Sequence, residues 1–365
     1  MSRMREWKQL DWILLSACLA IFILGLFCLY SASYQKSLVL GRSLAWQQVL
    51  WMGVSLLLVM GLLSHSYLQW MDWAYPFYGL TIFLLIVVLA VGEIRLGAQR
   101  WLDIGLVSFQ PSELAKLATV LVLARTLSNH RPQGRFFQDL GLPVFLSVIP
   151  MGLILKQPDL GTALTFIPLC GAMLLIWGAR LRHLAWISGG GLLASPLAWH
   201  VLKEYQRKRL LVFLNPSLDP LGAGYTIIQS KIAIGSGGLF GKGWLAGTQN
   251  QLNFLPERHT DFIFSVIGEE WGFVGALIFL SLFTILIWRG FWIVQKTTHH
   301  FGQLLATGAV VLLAFQVVVN VGMTMGLLPV VGLPLPFVSY GGTALVTNML
   351  CLGILLNVGL YKPFF

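Results

Sequence analysis

Six ionisable side chains lie within fourteen residues of the segment "LPERHTDFIFSVIGEEWGF" (255–273), although charged residues make up only 10% of the chain. They are Glu257, Arg258, His259, Asp261, Glu269 and Glu270. An Asp beside an Arg and a His in a partly desolvated crevice can act as a general base or bind a metal ion. The segment has no H-E-x-x-H pattern and no Cys/His ligand set, which argues against a zinc site.

Asp261 is the strongest candidate for chemistry because it stands where an apolar run begins. A simple helix cap would need only one residue there, not the whole group. Carboxylates inside a membrane segment mark functional sites by default, which draws attention to Glu269 and Glu270. We expect Glu257, Arg258 and His259 to shape the loop and field around Asp261, and the two deeper carboxylates to anchor the helix internally.

A second group of candidates lies in "QRWLDIGLVSFQPSELAKLA". Glu113 and Lys116 are three residues apart at the start of a helix, and a buried ion pair is costly unless both partners face the protein interior. The pair could stabilise the interior, line a cavity, or do both. Arg100 could anchor the chain at the membrane interface or bind an anion.

Two further segments carry candidate charges. Asp159 in "LKQPDLGTAL" follows a proline and precedes an apolar run, as a helix N-cap would, although it could also be a second carboxylate in an outward-facing site. The segment "KEYQRKRL" (203–210) is the densest basic cluster. Its residues Arg207, Lys208 and Arg209 could meet anionic lipid headgroups or a substrate pyrophosphate.

Two glycine-containing segments could bind phosphate. In "IGSGGLFGKG" the phosphate-loop pattern fails because Ser236 replaces the first Gly and Gly243 follows the Lys. We expect a flexible turn around a substrate groove, with Lys242 as a point charge for phosphate. In "LPLPFVSYGGTALVTNM", Ser339 and the glycines after it favour close helix packing or a broken helix end that offers N–H groups to a phosphate.

The composition indicates what must position these residues. The chain of 365 residues is 57% hydrophobic with a mean hydropathy of +0.78, whereas a soluble domain has about 25% charged residues. It is therefore predicted to be a membrane protein.

Its net charge of +10 comes from residues scattered in short connectors, as flanks of membrane segments would be, so nucleic-acid binding is not expected. The four cysteines lie in apolar runs as small buried hydrophobes.

The apolar runs predict an all-α polytopic membrane protein of about ten helices, residues 1–365 forming a single integral membrane domain. The first run is too long for a signal peptide. Basic residues in the connectors predict that both termini are cytoplasmic. The 202–261 connector then forms an extracytoplasmic loop between helices 7 and 8, with short, partly re-entrant helices. The predicted spans are 11–33, 46–63, 73–92, 111–128, 140–156, 160–178, 183–201, 262–288, 302–326 and 336–359.

Four motifs together resemble the SEDS family (shape, elongation, division and sporulation). They are "RWLDIGLVSFQPSELAKLA", "QPDLGTAL", "IAIGSGGLFGKGWLAGTQNQLNFLPERHTDFIFSVIGEEWGFVG" and "LPFVSYGGTALV". They occur in the family's order, and the resemblance covers nearly the whole chain. The segment "GTQNQLNFLPERHTDFIFS" is more similar to the elongation members than to the division members.

This resemblance implies a ten-helix peptidoglycan glycosyltransferase that polymerises lipid II during cell elongation. It would work on the outer face of the bacterial cytoplasmic (inner) membrane with a class B penicillin-binding protein, which supplies the transpeptidase, and other membrane proteins of the elongation complex. The family's essential Asp falls on Asp261, its fourth-helix Glu and Lys on Glu113 and Lys116, and its "QPDLGT" Asp on Asp159. The chain matches the pattern at each of these positions.

The implied chemistry is attack by a sugar hydroxyl on an anomeric carbon whose leaving group is a lipid pyrophosphate. Asp261 would deprotonate or orient that hydroxyl, or hold a divalent cation such as Mg²⁺ or Mn²⁺. We expect the other site residues to contact the substrate: Arg100, Glu113, Lys116, Asp159, Arg207, Lys208, Arg209, Lys242, Arg258, His259 and Ser339.

The alternative function is a lipid II flippase. A flippase should carry polar residues through the full depth of the helix bundle. In this sequence they gather in the outer half and the outer loops, which favours the polymerase.

Overall fold

The helices that cross the bundle are long and apolar. A computed structural model of the protein describes residues 10–361, except for 96–97, 105–106, 187–188, 191–192, 194–203 and 221. Within this part, eight helices are long and apolar enough to cross a membrane. They are α1 (Trp12–Leu40), α2 (Leu44–Leu63), α3 (Trp70–Val91, after a 3-10 turn at Tyr67–Gln69), α5 (Phe136–Lys156), α6 (Leu160–Trp177), α10 (Ile263–Lys296), α11 (His300–Thr324) and α12 (Gly342–Leu360).

A ninth helix of spanning length, α4 (Pro111–Ser128), is less apolar because it carries Glu113, Lys116 and Arg125. Nine of the ten predicted spans therefore correspond to helices in the described part of the chain. The other, 183–201, lies largely outside the described residues. The multi-pass, almost wholly helical class is confirmed.

The interior of the bundle is formed by α4, α11 and α12. In α11 and α12, 78% of the most apolar window is buried, whereas α2 buries only 22% of its window. The exposed side chains of the outer helices are large and apolar, for example Leu57 and Phe83. Apolar side chains suit contact with lipid, and the helices satisfy their own backbone hydrogen bonds, as the bilayer requires.

A small antiparallel sheet lies between α3 and α4, and the sequence did not predict it. It consists of β1 (Glu93–Arg95), β2 (Ala98–Ile104) and β3 (Val107–Phe109), in the order β1-β2-β3. Leu102 pairs with Phe109 and Asp103 with Ser108. Its function in the fold is to carry Arg100, in the middle of β2, to the start of α6.

The long connector before α10 contains the short helices that the sequence predicts. They are α7 (Glu204–Leu214), a 3-10 turn at Pro216–Leu218, α8 (Ala223–Ser236) and α9 (Thr248–Gln251). The segment between α8 and α9, together with α9, is called the 237–252 loop below.

Helix α10 is broken at Gly272, whose φ of 66° and ψ of −160° are non-helical. The N–H groups of Phe273 and Val274, freed by the break, donate to the carbonyls of Gly238 and Leu239 at 2.9 and 3.1 Å. The 237–252 loop therefore replaces the missing helical hydrogen bonds.

The same loop also donates to α10. The N–H groups of Lys242 and Gly243 bond to the carbonyls of Glu269 and Glu270, both at 3.0 Å. A Cβ on Gly241 would lie only 2.1 Å from the carbonyl oxygen of Glu270, so only glycine allows this approach. The turn predicted at "IGSGGLFGKG" is present at 237–240, and Gly237 and Gly241 pack directly against α10. The substrate groove expected around it stays a prediction.

Candidate active site

Asp261 lies two residues before α10 and is half-buried. Burial, the largest cause, raises the pKa of its carboxyl, as do the charges of Glu257 and Asp159, while Arg209 and Arg100 lower it, and the resulting pKa is about 6. Charged residues from four segments (the loop before α10, α7, β2 and the start of α6) thus act on one carboxyl. A carboxyl with a pKa near 6 can accept a proton close to neutral pH.

The backbone of Asp261 is fixed from the side of α11. Asn320, fully buried on α11, donates from Nδ2 to the carbonyl of Asp261 at 2.9 Å and to that of Leu333 at 2.7 Å. Leu333 belongs to the loop between α11 and α12, residues 325–341. One amide therefore holds the candidate base and this loop together.

The 325–341 loop also borders the Asp261 carboxylate. Gly332 has a φ of 75°, and a Cβ at this position would lie 3.3 Å from Oδ2 of Asp261. The absence of a side chain leaves the carboxylate accessible from this direction. Neither Asn320 nor Gly332 was singled out from the sequence; an isolated Asn in an apolar run and a Gly between prolines were the only signals.

The basic cluster on α7 divides between two positions. Arg209 donates from Nη1 to the carbonyl of Val330 at 3.2 Å, which attaches it to the 325–341 loop, and its charge acts on Asp261. Lys208 points elsewhere and pairs with Asp219 at 3.1 Å. Arg207 is half-buried on the same helix. Arg209 is therefore the member of the cluster that the structure brings to Asp261.

Arg100 and Asp159 meet at the start of α6. Arg100 donates from Nη2 to the carbonyl of Pro158, and its Nη1 lies 3.7 Å from Oδ2 of Asp159. Asp159 is also the N-cap of α6, since Oδ1 accepts from the N–H of Thr162 at 3.1 Å. The interpretation as a cap is confirmed. Asp159 is only 2% exposed, and its role as a second carboxylate in an outward-facing site stays a prediction.

Glu113 and Lys116 form a buried pair rather than part of an open surface. Lys116 Nζ lies 2.8 Å from Oε1 of Glu113, and the side chains are 0% and 3% exposed. The contact of this pair with the substrate stays a prediction. The structure supports the interpretation as an interior ion pair.

Arg258 and His259 attach the loop before α10 to α1. Arg258 is buried and donates from Nε to the carbonyl of Ala32 at 2.8 Å. His259 Nε2 lies 3.0 Å from Nζ of Lys36. Burial, followed by the charges of Lys36 and Arg258 and opposed by Glu257, lowers the pKa of His259 to about 4, so the imidazole is neutral at pH 7. Both side chains make contacts inside the protein, and their contact with the substrate stays a prediction.

Ser339 is also used inside the protein. Its hydroxyl donates to the carbonyl of Thr260 at 2.5 Å and accepts from the N–H of Leu335 at 2.8 Å. The N–H of Gly341 donates to Oε1 of Gln48 at 3.3 Å. These groups therefore hold the two loops around Asp261 together, and the phosphate contact expected at Ser339 stays a prediction.

Lys242 is engaged by Glu269 rather than by the Asp261 region. Its Nζ lies 2.9 Å from Oε1 of Glu269 and 2.9 Å from Oγ1 of Thr248. Glu269 also accepts from the N–H groups of Gln249 and Asn250 at the start of α9. Glu269 therefore fixes the 237–252 loop on α10. The phosphate contact expected of Lys242, whose side chain is 27% exposed, stays a prediction.

The described residues contain no group of three or more His, Cys, Asp or Glu side chains that could hold a metal ion. A site built from protein ligands alone does not fit this part of the chain. Mg²⁺, however, is usually bound by one or two carboxylates together with substrate phosphates. Asp261 fits that mode, since its carboxylate is accessible beside Gly332.

The sequence matches known proteins along nearly its full length. Residues 11–362 match the FtsW/RodA/SpoVE family model, described as cell cycle protein. The peptidoglycan glycosyltransferase MrdB of Escherichia coli K12 is 44% identical over 360 residues, covering 97% of this chain and 94% of that protein. Stage V sporulation protein E of Bacillus subtilis is 36% identical over 365 residues, covering 97% and 98%.

Solved structures share the fold. A chain from a peptidoglycan synthase complex, described as coordinating polymerization and crosslinking, has a TM-score of 0.83 and 40% identity, covering 96% of this chain and 97% of that one. The crystal structure of the rod shape determining protein RodA of Thermus thermophilus has a TM-score of 0.72 and 35% identity, covering 96% of each chain.

Proposed function

The chain belongs to the FtsW/RodA/SpoVE family, and from this membership we propose that it is a peptidoglycan glycosyltransferase that polymerises lipid II into glycan strands during cell elongation. The resemblance to the SEDS family is thereby confirmed. The observation that carries the mechanism is the accessible carboxylate of Asp261, with its raised pKa and the guanidinium groups of Arg209 and Arg100 acting on it.

In the proposed reaction, Asp261 accepts the proton of the attacking sugar hydroxyl. The hydroxyl oxygen forms a bond to the anomeric carbon of the donor sugar, and the bond from that carbon to the lipid pyrophosphate oxygen breaks. The pyrophosphate leaves with the electron pair. A base with a pKa near 6 is mostly ionised at neutral pH. Its pKa is also close enough to the working pH for it to take up the proton in the transition state.

Arg209 and Arg100 are the cations that offset the charge of the departing pyrophosphate. Both act electrostatically on Asp261, and both are positioned by backbone carbonyls at Val330 and Pro158. Groups fixed before the reaction stabilise a developing charge without reorganising. A divalent cation bound with the pyrophosphate would be held by Asp261 and would supply further positive charge.

The flippase alternative predicts polar side chains along the full depth of the bundle. In the described residues, the buried pair Glu113–Lys116 lies within the first two turns of α4, at the end where Asp261 also lies. At the opposite end, Asn357 serves structure, since it donates to the carbonyls of Leu62 and His65. Buried polar side chains also occur between these ends, for example Thr119 on α4 and Gln316 on α11, so their distribution does not separate the two functions. The names of the relatives favour the polymerase.

The proposed setting is the bacterial cytoplasmic membrane, with Asp261 on the outer side. The proposed partner is a class B penicillin-binding protein, together with other membrane proteins of the elongation complex. The structural similarity to a chain of a peptidoglycan synthase complex supports this partner. The lipid tail of the substrate would stay in the bilayer while its sugars reach the carboxylate outside.

The test is polymerisation of labelled lipid II by the purified chain with its partner, in the absence of other polymerases. Glycan strands should form, and Asp261→Ala should abolish them. Asp72→Ala is the matched control, because Asp72 is 87% exposed on α3 and its removal should leave the rate unchanged. Normal strand growth by the Asp261 variant, or no strand from the wild type, would overturn the proposal.

A further inference from the structure

A cavity of about 280 Å³ opens beside the break in α10, and the proposed mechanism uses none of its residues. This volume lies just below the range of drug-sized ligand sites, which begins at about 300 Å³. It suits a small headgroup rather than a larger ligand. Phe240 is 80% exposed and Trp244 49%, which leaves the opening at the outer surface of the bundle. The lining residues are Phe240, Trp244, Glu270, Trp271, Val274, Gly275 and Ile278.

Two buried polar groups of the lining residues have hydrogen-bonding capacity left. Nε1 of Trp271 has no partner among the described residues. Glu270 is only 2% exposed; its carboxylate accepts from Ser31 Oγ at 2.5 Å, from Asn250 Nδ2 at 3.1 Å and from the backbone N–H of Leu245, while its Oε2 receives no side-chain hydrogen bond. A buried polar atom without a partner costs about 1–3 kcal/mol. A ligand that supplies an acceptor would remove this cost at Trp271, and a donor on the same ligand would complete the hydrogen bonding of Oε2.

The aromatic rings around the carboxylate favour a cation as that donor. An ammonium group is attracted to the face of a Trp ring, and a nearby carboxylate strengthens the attraction. Trp244 is held in place because its Nε1 donates to the carbonyl of Phe27 at 3.1 Å and its ring lies 5.8 Å from that of Tyr30. A Cβ on Gly275 would lie 2.2 Å from Cβ of Trp271, so this glycine makes room for the second ring.

The cavity lies at the depth of lipid headgroups. Gly272, which directly follows Trp271, and Trp288 are about 24 Å apart along the unbroken part of α10, and Trp12 and Tyr30 about 27 Å apart along α1, at 1.5 Å per residue. These spacings approach the hydrocarbon thickness of about 30 Å. Trp and Tyr concentrate at the two membrane interfaces, and Trp12 and Trp288 are 60% and 70% exposed. If those two mark one interface, then Trp271 and Tyr30 mark the other.

We propose that this cavity binds the ethanolamine headgroup of a phospholipid in the outer leaflet. The ammonium donates to Oε2 of Glu270 between the rings of Trp244 and Trp271. A phosphate oxygen accepts from Nε1 of Trp271, and the acyl chains run along Val274 and Ile278. Binding does not depend on the glycosyl-transfer reaction.

The experiment is titration of the purified full-length protein in detergent, followed by native mass spectrometry. The probes are dioleoylphosphatidylethanolamine and its N-acetylated form, which keeps the phosphate and the chains but carries no ammonium. The wild type should bind the free amine about tenfold more tightly, as expected for a desolvated cation beside aromatic rings and a carboxylate. Equal affinity for the two lipids would overturn the proposal.

The variants separate the two contacts. Glu270→Gln should bind both lipids with the weaker affinity of the N-acetylated form, whereas Trp271→Phe should weaken both and keep the preference for the amine. Trp288→Phe, at the other interface, should change neither. An unchanged preference in Glu270→Gln would also overturn the proposal. If that variant does not fold, the comparison of the two lipids on the wild type decides alone.

Discussion

Asn320 on α11 donates from its side-chain amide to the carbonyl of Asp261, 59 residues earlier in the chain. The same Nδ2 also bonds to Leu333 in the 325–341 loop. One fully buried side chain thus holds the backbone of Asp261 and the 325–341 loop at a fixed separation. Asn320 is therefore a positioning residue for the proposed reaction.

Asn320→Ala should lower kcat by about 100-fold with little change in KM, because a displaced base affects the transition state more than binding. It should also cost about 2–4 kcal/mol of stability, since two buried carbonyls lose their donor. The measurement is lipid II polymerisation at varied substrate concentration, combined with thermal unfolding in detergent.

Asn357→Ala is the matched control for this prediction. Asn357 is also fully buried and also donates from Nδ2 to two carbonyls, at 2.8 and 2.7 Å, but at the far end of the bundle. Asn357→Ala should lose at least as much stability, because its Oδ1 also accepts from the N–H of Tyr67 at 3.0 Å, and only Asn320→Ala should lose kcat. Equal losses of kcat would mean that Asn320 is merely structural.

The activity should fall on the acid side with a midpoint near pH 6. Asp261 must be ionised to accept a proton, and burial holds its pKa at about 6. At pH 5 the rate should be about tenfold lower than at pH 7, since each pH unit below the pKa removes about nine-tenths of the remaining carboxylate. The check is the pH profile of kcat/KM, which reports the free enzyme.

Two neighbouring charges should move this midpoint in opposite directions. Glu257 raises the pKa of Asp261 and Arg209 lowers it. Glu257→Gln should therefore shift the midpoint to lower pH, and Arg209→Gln should shift it to higher pH and also reduce the maximal rate. A midpoint that stays in place in both variants would assign the titration to another group.

Asp261→Asn should stabilise the protein at neutral pH while abolishing its activity. The folded-state pKa of about 6 lies above the ordinary 3.8, so folding favours the protonated carboxyl, and this contribution to stability is lost as pH rises through 6. The neutral amide avoids that loss, which corresponds to about 2–3 kcal/mol at pH 7. Because Asp261 is partly exposed, the measured gain should lie at the lower end.

Thermal unfolding of both proteins between pH 4 and pH 8 checks this prediction. The difference in Tm should be largest above pH 7 and should be small at pH 4, where the folded carboxyl is protonated and the unfolded one, with its pKa of 3.8, is only partly ionised. A variant that is less stable than the wild type at pH 7 would show that the charge of Asp261 serves the fold.

The sequence predicted what depends on local patterns. Apolar runs located nine of the helices, and the i, i+3 spacing of Glu113 and Lys116 anticipated their ion pair. Asp261 was identified by its position at the edge of an apolar run. These features require only neighbouring residues, so one sequence is enough to find them.

The sequence could not predict contacts between distant segments. The contacts of Lys242 with Glu269 and of Ser339 with Thr260 could not be foreseen, because these partners lie 27 and 79 residues away. The break at Gly272 was hidden, since glycine is common in membrane helices, and only the docked 237–252 loop explains it. The three short strands were missed because their seventeen-residue segment was interpreted only as a connector.

Gly332→Ala should reduce polymerisation by at least about tenfold, because the new methyl group would lie 3.3 Å from Oδ2 of Asp261 and obstruct the approach of the hydroxyl. Positive φ alone also makes alanine unfavourable, by about 1 kcal/mol. Gly41→Ala separates the two effects, since Gly41 has a φ of 61° and nothing within 4 Å of the added Cβ. Both variants should lose similar stability in thermal unfolding, and only Gly332→Ala should lose activity. Full polymerisation by Gly332→Ala would show that the substrate reaches Asp261 from another direction.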